Sequence, residues 1–308
     1  MAERFSLPPV AEAIGPLGGI VNRSYLLALE DGSRWICRIN ANESDSPKIV
    51  REERIYRWLW ERGTDLPIAR RYLSDTSRTI LPCDYALLPA LPGKRVGSSI
   101  EEMDRPDRNL LLTDIGRLLR VVHSLPAQGF GDLIGSTSEP NWRTFLSRSF
   151  ETLLGHYREI LGYSPAWEAE VSRRFDEWLR EVPESPAPVF LHGDYHYDNL
   201  LFTRDHGEAI RISGLFDLEW AWAGEAGFDL LHLEEAFALY PEDEPHFLEG
   251  YGESSLHSER LRVYRLLHIL RLLSVGLSFQ PEPLWDLVAR QEAILKNLLR
   301  NKKPFEGL

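Results

Sequence analysis

Two short apolar runs, residues 25–29 and 34–39, are joined by Glu30-Asp31-Gly32-Ser33. An Asp-Gly pair between such runs predicts a β-hairpin, because glycine accepts the positive φ of a tight turn. The period then changes. Ile55, Trp58 and Leu59 form one apolar face at helical spacing, Pro47 suits the first helical position behind an N-capping Ser46, and Gly63 suits the stop. Residues 85–88 read as another strand, and Pro89-Ala90-Leu91-Pro92-Gly93 then breaks regular structure. Ser98 and Glu101 have the spacing of a capping box. Leu111, Ile115, Leu118, Leu119 and Val122 mark a long amphipathic helix ending near His123. Further helices are expected at about 140–161, 165–181, 227–239, 257–279 and 283–300. A strand-rich island interrupts them, with strands at 189–191, 200–203 and 210–216 and a turn at Asp205-His206-Gly207-Glu208.

The pattern is therefore strand-rich with one helix before residue 90 and mainly helical after it. That predicts an α+β protein with a small β-rich part over 1–88, a connecting segment at 89–93 and a large mainly helical part over 94–308. A chain of 308 residues is long enough for two such parts, and 43% hydrophobic with 27% charged residues is ordinary for a soluble globular protein. There is no internal repeat or low-complexity tract.

Charge narrows the partners. The formal net charge is −12, which disfavours sequence-independent nucleic-acid binding. Cys37 and Cys83 are the two cysteines, too few for a disulfide framework, and they suit a reducing, cytoplasmic setting. Residues 1–6 lack a signal-peptide apolar core, and the most apolar stretch, 266–279, is broken by His268 and Arg271, so no membrane span is expected.

The chemistry centres on His192-Gly193-Asp194 followed by Asn199. Moving a phosphoryl group needs a carboxylate to orient the attacking hydroxyl and accept its proton, and oxygen ligands to hold Mg²⁺ against the phosphates. Asp194 suits the first task. Asn199, five residues on, and Asp217, at the end of an apolar strand, suit the second. Protein kinases carry a catalytic Asp, a loop Asn and a strand-end Asp in this order at similar spacing.

Taken together, this segment and Gly214-Leu215-Phe216-Asp217-Leu218-Glu219-Trp220, followed by Gly224-Glu225-Ala226-Gly227-Phe228-Asp229-Leu230, resemble the aminoglycoside phosphotransferase family. Choline, fructosamine, homoserine and macrolide kinases are its relatives. The resemblance runs from about residue 14 to 300. It implies a bilobal protein-kinase-like fold, with a nucleotide-binding lobe over 1–88, a hinge at 89–93 and a catalytic and substrate-binding lobe over 94–308. It implies ATP as co-substrate, with GTP not excluded, and Mg²⁺ as cofactor. Arg38 stands where the family places a Lys or Arg on the phosphates, paired with a helix acid that is Glu52, or failing that Glu53. Arg keeps the charge and forks across two oxygens. Lys48, at the helix start, is a poor substitute. Asp229, by the same resemblance, braces the catalytic loop.

Other residues are weighed on their chemistry. Gly18 and Gly19, with Asn22 and Ser24 nearby, form a turn before a strand where backbone N–H groups could approach phosphates. Pro89 has a carbonyl and Leu91 an N–H, which suits an adenine at the hinge. His192 reads as loop support, and His196 and Asp198 as loop residues. For the acceptor, Glu219, Trp220, Trp222, Glu234 and Glu235 are candidates, and an amine-bearing polyol is the expected class, because carboxylates pair with ammonium groups and a Trp face holds a sugar or a cation. The acidic set including Glu242, Asp243, Glu244 and Glu249 reads as a solvated face that could add to this attraction. Two alternatives stay open: a metallohydrolase using His192, Asp194, His196 and Asp217, and a nucleotide-binding pseudokinase acting as an interaction module.

Overall fold

The computed structural model describes residues 2–17, 22–40, 47–135, 138–161, 165–204, 209–253, 260–278, 284–300 and Phe305. The glycine pair Gly18-Gly19, the cap Ser46 and the turn at 205–208 lie outside the described residues, as does the side chain of Asn22. In chain order the structure runs β1 (Val10–Ile14), β2 (Asn22–Leu29), β3 (Arg34–Asn40), α1 (Pro47–Glu61), β4 (Leu73–Asp75), β5 (Tyr85–Pro89), β6 (Lys94–Arg95) and α2 (Arg105–His123). It continues with β7 (Phe130–Gly131), β8 (Ser138–Glu139), α3 (Trp142–Leu161), α4 (Pro165–Leu179), β9 (Val189–Leu191), β10 (Leu200–Arg204), β11 (Ile210–Leu215) and β12 (Trp222–Gly224). Four helices end it: α5 (Gly227–Leu239), α6 (Glu244–Tyr251), α7 (Leu261–Ser278) and α8 (Trp285–Leu299).

These elements form two compact units, residues 1–121 with 192–221, and residues 122–191 with 222–308. In the first unit an antiparallel sheet of order β1-β2-β3-β5-β4 carries the expected hairpin, with Tyr25 facing Cys37 and Leu27 facing Trp35. Side-chain alternation buries Leu27, Leu29, Trp35, Cys37, Tyr85 and Leu87 together. Burial pushes the Cys37 thiol up to about 12, so it stays a protonated core residue. Helix α1 buries Ile55 and Leu59 as its periodicity predicts, but the aromatic ring buried with them is Tyr56, and Trp58 is half-buried with the Arg62 guanidinium over its ring. A second sheet, β11-β10-β6, joins the later segment to the earlier one, and the Leu215 N–H donates to the Pro67 carbonyl at 2.7 Å.

Gly93, just before β6, has φ +121°, and a Cβ there would lie 2.5 Å from both the Phe202 carbonyl oxygen and Ser213 Oγ. Gly93→Ala is therefore expected to cost about 1–3 kcal/mol. A thermal melt should fall by several degrees, and an unchanged melt would contradict this reading of the turn.

In the second unit, a four-stranded sheet of order β8-β7-β12-β9 lies with helices α3 to α8. The core is aromatic-rich. Phe150 and Phe175 stack at 4.0 Å between centroids, and Trp142 Nε1 donates to Tyr264 Oη at 2.9 Å, satisfying the indole N–H inside the core.

Two expectations change. The Ser98–Glu101 box is not formed: Ser98 Oγ donates to the Arg95 carbonyl, and only a short 3-10 turn, Ile100–Glu102, follows without a side-chain cap. Helix α2 instead begins after Asp104, whose Oδ1 accepts the Asp107 N–H at 3.0 Å, with Pro106 in the first turn. Helix α6 was hidden in the acidic run, and Asp243 is 1% exposed rather than on a solvated face. Among the described residues no helix is long and apolar enough to cross a membrane.

Candidate active site

Strand β9 ends at Leu191, and the chain turns sharply at Gly193, whose φ of +76° favours glycine over any side chain. This presents Asp194. Asn199 Nδ2 donates to the Asp194 carbonyl at 2.9 Å and to Asp194 Oδ2 at 3.0 Å, so the two predicted loop residues are locked to each other. The five-residue spacing is what lets one loop close on itself. His192 is fully buried, and its Nε2 lies 3.0 Å from the Phe216 carbonyl oxygen, tying the loop to the residue before Asp217.

His196 is more than a loop residue. Its Nδ1 faces the Asp198 N–H at 3.2 Å, and its Nε2 lies 3.3 Å from Asp194 Oδ2 and 3.1 Å from Asn199 Nδ2. Burial works to lower its pKa, but the bond to Asp194 and the charges of Asp198 and Asp217 prevail and raise it. Asp198 itself is largely exposed.

Asp217 follows β11 in a left-handed conformation, φ 66° and ψ 58°, uncommon outside glycine and best tolerated by Asn and Asp. A 3-10 turn, Leu218–Trp220, comes next. On β3, Arg38 extends its fork to three carboxylates: Glu52 Oε1 at 2.6 Å, Asp217 Oδ1 at 2.8 Å and Glu219 Oε2 at 3.4 Å. The helix acid that meets Arg38 is thus Glu52; Glu53 turns instead to Ser74 and Arg57. Glu52 is 1% exposed and also accepts from Tyr72 Oη at 2.8 Å and the Leu218 N–H at 3.0 Å. Burial raises the Glu52 carboxyl against the opposing pull of Arg38. Burial disfavours the Arg38 charge, but Asp217 and Glu52 outweigh it and hold the guanidinium firmly protonated.

The remaining candidates fall as follows. Ser24 faces Arg38 across β2 and β3, and its carbonyl accepts the Leu17 N–H. Pro89 ends β5 opposite Trp35, and the Ala90 N–H returns to the Arg34 carbonyl at 2.8 Å. Strand β4 pairs with β5 only from Tyr85 to Leu87, so the β4-side edge is not covered by it at Pro89 and Leu91. Trp220 lies under the Lys48 ammonium, 5.6 Å from its ring. In the other unit, Trp222 packs against Phe145, Trp142 and Phe228. Glu234 and Glu235 form ion pairs with Arg265 and Arg290. Asp229 is fully buried and meets His123 Nε2 at 3.2 Å, while His123 Nδ1 lies 2.8 Å from Tyr251 Oη.

Sequence reasoning missed Arg51, Tyr72 and the reach of His196 toward Asp194. Nothing in the local pattern marks the first two, whose partners lie far along the chain or, for Tyr72, across a turn. Among the described residues no group of three or more His, Cys, Asp or Glu is arranged to hold a metal ion. His192, Asp194 and His196 therefore do not converge as a hydrolase centre would require. Asn199 and Asp217 do offer hard oxygen donors that fit Mg²⁺, and with Asn199 Nδ2 turned to Asp194, the planar amide directs its oxygen away from that carboxylate.

A sequence model described as the phosphotransferase enzyme family matches residues 12–267. Among curated proteins, acyl-CoA dehydrogenase family member 10 of Mus musculus is 24% identical over 242 residues, which is 77% of this chain and 21% of that protein. The chain thus spans about a fifth of that relative's length. Among solved structures, aminoglycoside phosphotransferase APH(4)-Ia in a ternary complex with ADP and hygromycin B superposes with TM-score 0.70 at 17% identity, covering 99% of this chain and 97% of that one. The GDP and kanamycin complex of a second aminoglycoside phosphotransferase gives TM-score 0.69 at 13% identity, covering 98% and 97%. The fold is therefore the bilobal, kinase-like α+β fold of these enzymes.

Proposed function

The chain belongs to the phosphotransferase enzyme family, and from that premise we propose that it moves the γ-phosphate of ATP or GTP onto a hydroxyl of a small molecule. The observation that carries this reading is the Asp194–Asn199 lock in one loop, with Arg38 joining Glu52 to Asp217 in the same unit. Asp194 orients the acceptor hydroxyl and takes its proton as the new oxygen–phosphorus bond forms and the bond from the γ-phosphorus to the departing nucleoside diphosphate breaks. Arg38 carries charge toward the phosphates, braced by Glu52. Asn199 and Asp217 would hold Mg²⁺, which when bound offsets the negative charge of the phosphates. His192 supports the loop. In this reading residues 1–88 form the nucleotide-binding lobe, 89–93 the hinge and 94–308 the catalytic lobe, and Pro89 and Leu91 meet the base along the edge that β4 does not cover. Gly18, Gly19, Asn22 and Ser24 belong to the phosphate side.

The acceptor proposed is an amine-bearing polyol. The two structural neighbours carry hygromycin B and kanamycin, and the net charge of −12 favours a cation. Glu234, Glu235 and Glu219 each already meet an arginine and Trp222 packs among aromatic rings, so the proposal rests on Trp220 and the net charge more than on them. A cytoplasmic location accords with two cysteines that form no disulfide.

The test is a panel of hydroxylated acceptors with ATP or GTP and Mg²⁺, read by ADP or GDP release. The mouse relative's name argues for including hydroxylated acyl thioesters. An aminated polyol should stimulate release most, with an acceptor KM that rises with ionic strength. A neutral or anionic best acceptor without salt dependence would overturn the acceptor class. Release unaffected by every acceptor, with no nucleotide binding, would overturn the kinase reading.

A further inference from the structure

We propose that Arg51 is a positioning residue for Asp217, an inference that rests on the metal-ligand reading above. Lys48, Arg51 and Glu52 stand at i, i+3 and i+4 on α1, and so share one face of the helix. All three meet the turn that follows Asp217. Arg51 Nη1 donates to the Glu219 carbonyl at 2.7 Å and Nη2 to the Ala221 carbonyl at 2.6 Å. Glu52 Oε1 accepts the Leu218 N–H at 3.0 Å, and the Lys48 ammonium lies 5.6 Å from the centroid of the Trp220 ring. Each residue from 218 to 221 is thus engaged by α1.

Asp217 needs such support. Its left-handed backbone is uncommon for a residue with a side chain, and its carboxylate makes no capping bond to the turn it opens. The side chain is one-third exposed and turned to Arg38, so the backbone must be held by something else. The Arg51 fork bridges the Glu219 and Ala221 carbonyls at the end of the short 3-10 turn. Only a planar guanidinium spans both; a lysine ammonium reaches one.

Calorimetric titration of a non-hydrolysable ATP or GTP analogue, with and without Mg²⁺, tests this in Arg51→Met, Arg51→Lys, Asp217→Ala and the Arg51→Met/Asp217→Ala double variant. Arg51→Met should weaken the Mg²⁺-dependent affinity about 10-fold, and Arg51→Lys by less. Mg²⁺-free affinity should be the same in all. In the Asp217→Ala background Arg51→Met should have no further effect, because the two act through one contact. An equal loss in that background, or an equal loss without Mg²⁺, would make Arg51 a general staple and overturn the proposal. If Asp217→Ala weakens Mg²⁺-dependent binding and neither Arg51 variant does, the positioning proposal alone falls. If Asp217→Ala changes nothing, the metal-ligand reading falls and this one with it. Should Arg51→Met not fold, Arg51→Lys runs through the same cycle.

Discussion

Asp194→Asn is expected to lower kcat by about 10²–10⁴-fold while nucleotide binding persists. Asparagine is the sharper test than alanine. The Asp194 carboxylate oxygen accepts from Asn199 Nδ2, and an amide oxygen at the same place can keep accepting, so the loop holds its shape. What is lost is the basicity of the one carboxylate locked to Asn199. Acceptor-dependent nucleotide turnover and calorimetry of the same preparation separate the two effects. Turnover near that of the wild type would remove Asp194 from the chemistry.

Arg38→Ala should cost about 3–5 kcal/mol, because it leaves Glu52 as a buried carboxylate with Tyr72 and the Leu218 N–H as its remaining donors. For a chain of this size the melting temperature should fall by on the order of 10 °C, and the nucleotide KM should rise. Arg38→Lys should fall between, keeping the charge but losing the fork that spans Glu52, Asp217 and Glu219. The pH dependence has a definite sign. Burial raises the Glu52 carboxyl, and Arg38 is the main influence opposing that rise. Without Arg38 the folded-state pKa moves further above its unfolded value. The ionised form then destabilises the fold at high pH, and the deficit shrinks as pH falls through the raised pKa and Glu52 takes up a proton. A melt unchanged from the wild type at every pH would show that this network contributes nothing to stability.

The parts of the molecule that were legible in the sequence are those whose causes are local. Asp31-Gly32 announces its hairpin, Pro47 and Gly63 bracket α1, and the offset from Asp194 to Asn199 is a property of one loop. What stayed hidden depends on partners far along the chain. Arg38 is 179 residues from Asp217, and Arg51 is 168 from Glu219, so no window of sequence reports either contact. Helix α6 was missed for another reason. Charge runs usually mark solvent-facing chain, and Asp243 breaks that expectation by lying inside. Glu234 and Glu235 looked available for a cationic acceptor because their arginine partners come from α7 and α8, elements that pair with α5 only in three dimensions.

The first unit is assembled from two separate stretches, 1–121 and 192–221. A ribosome delivers the chain from one end, so β1 to β5 and α1 emerge long before the loop and strands that complete their unit. Until residue 221 has appeared, Arg38 and Glu52 have no Asp217 or Leu218 to meet, β6 lacks β10, and the Pro67 carbonyl lacks Leu215. The nascent sheet must therefore wait through the synthesis of α3 and α4 with these positions open. Such late closure of distant contacts slows folding and prolongs exposure to misassembly. The residues proposed for catalysis are thus among the last of their unit to be secured, and the chemistry becomes possible only when folding of that unit is complete.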